Sequence, residues 1–260
     1  MRLRTNVIAI IAILLIVGGA WVVSETHPSS QSALAEALDS VPANTRVAGF
    51  TDWAQIRTTL GFDKVTGKVD RDSLINNAFE RDFSSRSLLE KFTDPMSKGF
   101  GWTVADLRWE MYGQASKGAV LVAGMNDDLK SGKVTRGLRS FGYKESAGIW
   151  KVDDATVAGS IPGAPTILRF ASYLKNDRLI YFSDHRAYLE SVVALHRDHG
   201  KTLAGVPSAR QVAEPLIGSQ SAFVSVGRDA CLSTGLSKSP AGVREQARSL
   251  LRPLGKLAPM

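Results

Sequence analysis

The sequence predicts an α+β domain, a mostly antiparallel sheet with helices packed on one face, preceded by one N-terminal transmembrane or signal helix. Three observations predict it. Helical and strand-like segments mix without a regular βαβ rhythm. Lys175-Asn176-Asp177 joins two strand-like runs with hairpin turn chemistry. Gly118 to Met125, GAVLVAGM, is a continuous apolar run of strand length, the pattern of a buried strand.

The first element is the apolar helix. Arg2 and Arg4 precede 17 uncharged residues, Val7 to Val23. At ~1.5 Å per residue that run is about 26 Å long, just short of a bilayer core of ~30 Å, and Trp21 suits the interface. The basic residues come first and Glu25 follows, so the positive-inside rule places the N-terminus in the cytoplasm and the bulk outside. The run exceeds the usual signal-peptide core, which favours an uncleaved signal anchor; Val22-Val23-Ser24 is a usable cleavage site that would release the product. Residues 1–24 therefore read as a signal anchor or signal peptide. Residues 25–40 read as a juxtamembrane linker with a short helix at Ala33 to Asp39, and 41–260 as an extracytoplasmic α+β domain.

Along that domain, Thr45 to Phe50 reads as a strand. Trp53 to Leu60 reads as a helix closed by Gly61. Ser73 to Phe92 has apolar residues at helical spacing, with Ser84-Ser85 as a possible break. At Trp102 to Gly113, Thr103 suits an N-cap and Asp106 completes a variant capping box, predicting a helix. Asp127 to Phe141 reads as a helix stopped by Gly142. Ile149 to Val152, Ile167 to Leu174, Arg178 to Ser183 and Ala222 to Val226 read as strands. Asp184 to His199 reads as a helix stopped by Gly200, and Ala209 to Ile217 as another, weakened by Pro215. Ser239-Pro240 opens a final basic amphipathic helix to Leu251.

Composition narrows the function. Apolar residues make up 44% and charged residues 22%, enough to bury a core. Of the net charge of +7, Arg2 and Arg4 belong to the export segment, leaving about +5 for the rest. No Lys/Arg cluster is interleaved with aromatics, so nucleic acid is not expected as a partner. Cys231 stands alone and forms no internal disulfide; it reads as a small buried hydrophobe.

The chemical motifs fail one by one. His196 and His199 share a helix face but lack a third ligand, and a helix C-terminus favours such residues anyway. No metal and no cofactor is expected. Ser172-Tyr173-Leu174-Lys175 has Ser-x-x-Lys spacing, but on a strand the lysine points to the other face. Gly61 to Lys68, GFDKVTGK, has five residues between its glycines rather than four, with Val69 where a Ser or Thr should follow. Asp106 and Glu110 stand one helical turn apart, as on any solvated helix face. Two groups remain as contact candidates: Trp102, Trp109 and Tyr112 for aromatic stacking, and Arg244, Arg248 and Arg252 for an anionic surface.

Val41 to Gly61, VPANTRVAGFTDWAQIRTTLG, and Gly101 to Gly113, GWTVADLRWEMYG, resemble exported actinobacterial proteins of unknown function. The resemblance implies placement in the cell envelope and transfers no functional residue. The expectation is a membrane-anchored extracytoplasmic domain with a non-catalytic binding or scaffold role, partnered by the membrane through its N-terminal helix and by an envelope protein or anionic lipid. The alternatives are an envelope hydrolase whose site is assembled from distant residues, and a carrier of a lipid or other apolar ligand. An apolar cavity favours the carrier, a cleft with convergent carboxylates favours the hydrolase, and neither favours the scaffold.

Overall fold

The computed structural model describes residues 32–226 and Gly242. The chain divides at Gln31/Ser32, and the second unit holds every described element. Its strands are β1 (Val47–Thr51), β2 (Leu107–Ala115), β3 (Gly118–Met125), β4 (Lys144–Ser146), β5 (Ile149–Lys151), β6 (Phe170–Leu174), β7 (Leu179–Ser183) and β8 (Ser221–Ser225). They form one sheet in the order β4-β5-β6-β7-β3-β2-β1-β8. Every neighbouring pair is antiparallel. The α+β class and the antiparallel sheet are as the sequence predicts.

The helices are α1 (Ala33–Asp39), α2 (Trp53–Leu60), α3 (Lys68–Glu80), α4 (Thr93–Gly99), α5 (Ser131–Phe141), α6 (Asp154–Ser160), α7 (Arg186–Arg197) and α8 (Pro207–Ala213). They cover both faces of the sheet, which corrects the one-face expectation. Trp53, Leu74, Met96, Leu138 and Val157, from α2 through α6, pack with Leu121 and Ala123 of β3. Leu34, Leu38, Leu189, Val193 and Ala209, from α1, α7 and α8, pack with Val120 and Val122 of the same strand. The apolar run of β3 carries the reason. Alternate side chains leave opposite faces, so a strand without polar residues is served only by two covers.

The hairpin forms as expected, with Leu174 opposite Leu179. Helix α2 matches its predicted span and ends on Gly61 at φ +75°, a conformation glycine adopts without strain. Helix α7 ends differently: His199, at φ +50°, takes a left-handed position ahead of Gly200. The long helix over Ser73 to Phe92 is corrected. It starts earlier, at Lys68, and stops at Glu80. Arg81 to Arg86 form turns, and Ser87 then reaches Glu110 on the sheet.

The helix expected over Trp102 to Gly113 is also corrected. The capping box forms, but it caps only the three-residue 3₁₀ turn Val104–Asp106. Strand β2 begins at once and pairs with both β1 and β3. Two ladders of backbone hydrogen bonds outweigh a local start signal worth about 1 kcal/mol.

Helix α1 belongs to the packed domain. Its Leu34, Ala37 and Leu38 are buried. Arg108 of β2 donates through both terminal nitrogens to the Glu36 carboxylate, each at 2.8 Å. Thr202 donates to Asp39 at 2.6 Å. Among the described residues no helix is long and apolar enough to cross a membrane. The apolar run at 7–23, Cys231 and the predicted helix with Arg244, Arg248 and Arg252 lie outside the described residues.

Candidate functional site

The site is built on one arginine. Asp52 caps α2 by accepting from Gln55 N at 2.8 Å. Trp53 and Ile56 bury the helix against the sheet, and Arg57, one turn after Trp53, points the same way. Arg57 is only 9% exposed. Its Nη1 donates to the carbonyls of Ala105, at 3.0 Å, and Leu107, at 2.8 Å; its Nη2 donates to Asn126 Oδ1 at 2.9 Å. The β2–β3 register shifts between Leu107 and Trp109. Such a bulge breaks the ladder, and the guanidinium supplies a donor where the ladder is interrupted.

All three acceptors are neutral. Among the described residues no carboxylate lies within ion-pair distance of Arg57. Burial lowers its pKa, while Asp52 and Asp106 act at longer range in the opposite sense. A guanidinium stays protonated in proteins. Buried charges are ordinarily paired, so this one stands out.

Arg57 lines a pocket of about 430 Å³. Lys64, Lys130, Lys133 and Arg136 line it too, and all four are exposed. None of the four forms an ion pair among the described residues. Asp63, Asp106 and Asp128 offset part of that charge. Helix α5 begins beside the pocket, and no side chain caps it. Its first amides add partial positive charge. Close packing fixes α5: Val134, Leu138 and Phe141 are buried, and a Cβ on Gly137 would come 2.2 Å from the Phe100 carbonyl oxygen.

A second lobe of about 230 Å³ adjoins the first, sharing Val65, Ala105, Asp106 and Lys133. Lys68 and Arg71 line it, but their charges are answered. Lys68 pairs with Asp72, and Arg71 with Asp94 at 2.9 Å. The loop over Gly61 to Lys68 borders both lobes. It joins two helices, so it is not the strand-to-helix turn of a nucleotide-binding loop, yet its Lys64 and Lys68 reach the groove.

A second buried charge sits on β2. Glu110 is 1% exposed. It accepts from Ser87 Oγ at 2.6 Å, from Leu88 N at 2.6 Å and from Trp53 Nε1 at 3.5 Å. Burial pushes its carboxyl up to about 6, against the pull of those donors. It is sealed beneath the Ser87–Leu88 turn. The pairing of Asp106 with Glu110 on one helix face does not exist: Asp106 ends the 3₁₀ turn and Glu110 is mid-strand.

The aromatic candidates separate. Trp102 is 1% exposed and stacks on Phe100 at 5.0 Å. Trp109 is fully buried on the other face, where a Cβ on Gly124 would come 2.8 Å from its ring. Tyr112 is half-buried and donates to Gln114 Oε1 at 3.2 Å. The three do not form a stacking platform: Trp109 and Tyr112 leave β2 on opposite faces, and Trp102 precedes the strand, buried against Phe100. His196 lies 3.5 Å from Asp177. Among the described residues no His, Cys, Asp or Glu cluster could hold a metal ion. Ser172 is on β6 and donates to the Gly148 carbonyl at 3.1 Å.

Sequence reasoning missed Arg57, Lys64, Lys130, Lys133 and Arg136 as a group. The usable signal was a lone arginine on the apolar face of a well-capped helix. No protein-family model, no curated protein and no solved structure matches this chain.

Proposed function

We propose that this chain is a membrane-anchored extracytoplasmic domain with a non-catalytic binding role, and that its groove takes an anionic ligand. The observation that carries the reading is Arg57: a buried guanidinium with neutral partners, beside a pocket lined by four unpaired cations. An anion in that pocket would supply the missing counter-charge through charge-assisted hydrogen bonds, the stronger kind. Retention at the membrane rests on the uncharged run Val7 to Val23 behind Arg2 and Arg4.

The other two readings have less support. Charged side chains line both lobes, which suits an apolar cargo poorly. Among the described residues, the carboxyl raised to about 6 is Glu110, and it is buried away from the groove.

The test uses the full chain in detergent micelles. Thermal unfolding is followed as orthophosphate replaces chloride at constant ionic strength. A ligand at 100 times its Kd adds about 2.7 kcal/mol to the native state. The expected result is a rise in Tm that grows with the logarithm of phosphate concentration above Kd, and that disappears in the triple variant Lys64→Gln, Lys133→Gln, Arg136→Gln. A rise of the same size in that variant, or no rise in either protein, rejects the groove as an anion site. Retention is checked separately by fractionating cells and sequencing the mature N-terminus; a soluble product beginning near Glu25 rejects the anchor.

A further inference from the structure

The two lobes of the groove differ in charge, and the difference bears on the ligand. In the first, Arg57, Lys64, Lys130 and Arg136 have no carboxylate partner. In the second, Lys68 and Arg71 are already paired, with Asp72 and Asp94. The second lobe also carries the hydroxyls of Ser97 and Thr103. Ser97 Oγ accepts from Arg71 Nη1 at 3.0 Å, which leaves its own O–H to donate. Asp106 stands at the junction, bordering both lobes. Its Oδ2 accepts from Thr103 N at 2.8 Å and from the Thr103 hydroxyl at 3.3 Å, and its Oδ1 has no hydrogen-bond partner among the described residues.

A second phosphate entering the second lobe would meet the Asp106 carboxylate and cations that are already neutralised. A hydroxyl would meet a free carboxylate oxygen that accepts and a serine O–H that donates. Hydroxyls both donate and accept, so mixed, charge-balanced surroundings suit them.

We infer that the groove binds a polyol or sugar phosphate, with the phosphate in the Arg57–Lys64 lobe and hydroxyls against Asp106 and Ser97 in the second. This rests on the anion reading above and adds the chemistry of the ligand's neutral part. Lys133, which borders both lobes, would lie beside the bond between the two parts. The same chemistry occurs in a phosphodiester polymer of the envelope and in a glycerol-phosphate lipid headgroup.

The experiment is isothermal titration of the full chain in micelles with orthophosphate, methyl phosphate, glycerol 3-phosphate and pyrophosphate, at one ionic strength. Glycerol phosphate is expected to bind about tenfold more tightly than methyl phosphate or orthophosphate, and more tightly than pyrophosphate. The variant Asp106→Asn still accepts the Thr103 amide, so the 3₁₀ turn keeps its cap. In it the glycerol phosphate advantage should shrink while orthophosphate binding holds or improves. Equal affinities for methyl and glycerol phosphate, or a preference for pyrophosphate, overturn the polyol inference and leave the anion reading standing. Failure of all four to bind overturns the anion reading itself. Competition by soluble poly(glycerol phosphate) identifies a polymer source. Competition by phosphatidylglycerol vesicles, and not by phosphatidylcholine vesicles, identifies a lipid.

Discussion

Arg57 and Glu110 are both charged residues buried on the same side of the sheet, and the protein treats them oppositely. Glu110 is closed over: the Ser87–Leu88 turn and Trp53 bring three donors to it, and water is excluded. Arg57 is left open. Its partners are carbonyls, no carboxylate reaches it at ion-pair distance among the described residues, and four further cations outnumber the three aspartates in the pocket beside it. One helix serves both, since Trp53 and Arg57 stand one turn apart on α2. A buried charge answered from within is part of the architecture. A buried charge left for something outside to answer is a place to look for a ligand.

The contrast breaks first at Arg57. Replacing it with Met keeps the apolar stem but strips the donors from Ala105, Leu107 and Asn126. Hydrogen bonds from a charged donor contribute about 1.5–3 kcal/mol each and are not additive, so a loss of about 3 kcal/mol or more is expected in urea denaturation. If the loss is under about 1 kcal/mol, the guanidinium is not holding the bulge.

The next largest effect falls on the seating of α5. Gly137→Ala drives a methyl group into the Phe100 carbonyl, a backbone atom that cannot swing aside. Overpacking of this kind costs about 1–3 kcal/mol. Because α5 lines the groove, anion affinity should fall along with the urea midpoint. A normal midpoint with weakened binding would show that the helix end tolerates movement and only the ligand notices.

Glu110 sharpens the contrast through pH. Its carboxyl lies near 6 in the folded chain and at the ordinary 4.5 when unfolded. The folded state therefore binds the proton more tightly. The contribution to stability is fully present below pH 4.5, and it is lost as pH rises through about 6. At 1.36 kcal/mol per unit this amounts to roughly 2 kcal/mol at most. Glu110→Gln should lack that slope, so the difference between the two proteins' stabilities should change by that amount across pH 4 to 7. A mutant profile parallel to the wild type contradicts the assignment.

The smallest expected change is in the stability of the Lys64, Lys133 and Arg136 triple variant. These are exposed and unpaired, and surface substitutions usually stay within about 0.5 kcal/mol. A clear gain in stability without ligand would mean their mutual repulsion is tolerated for binding; a clear loss would make them structural.

Much of the fold could be read where the signal was local. Gly61 and Gly142 both end their helices at positive φ, and both were predicted stops. The β6–β7 turn lies where Asn176 and Asp177 put it. Strand β4 and helix α6 were not foreseen: three polar residues, Lys144 to Ser146, and a seven-residue helix carry too little pattern. The site was less legible still. Arg57, Lys64, Asp106, Asn126 and Lys133 come from five segments, and only their convergence makes a groove.

By itself the sequence determined the elements whose start and stop lie within a few residues of one another, because caps and turns act over one helical turn. It determined β3 as buried, because a run of eight residues without charge has nowhere else to go. The tertiary structure alone decided that Trp102 to Gly113 is a turn and a strand rather than a helix, since the strand is held between its hairpin partner β3 and β1, which comes from far back in the chain. It also decided that the sheet is covered twice, and that Arg57 has carbonyls rather than a carboxylate for company. Charge compensation is a property of neighbours in space, and no spacing along a chain encodes it.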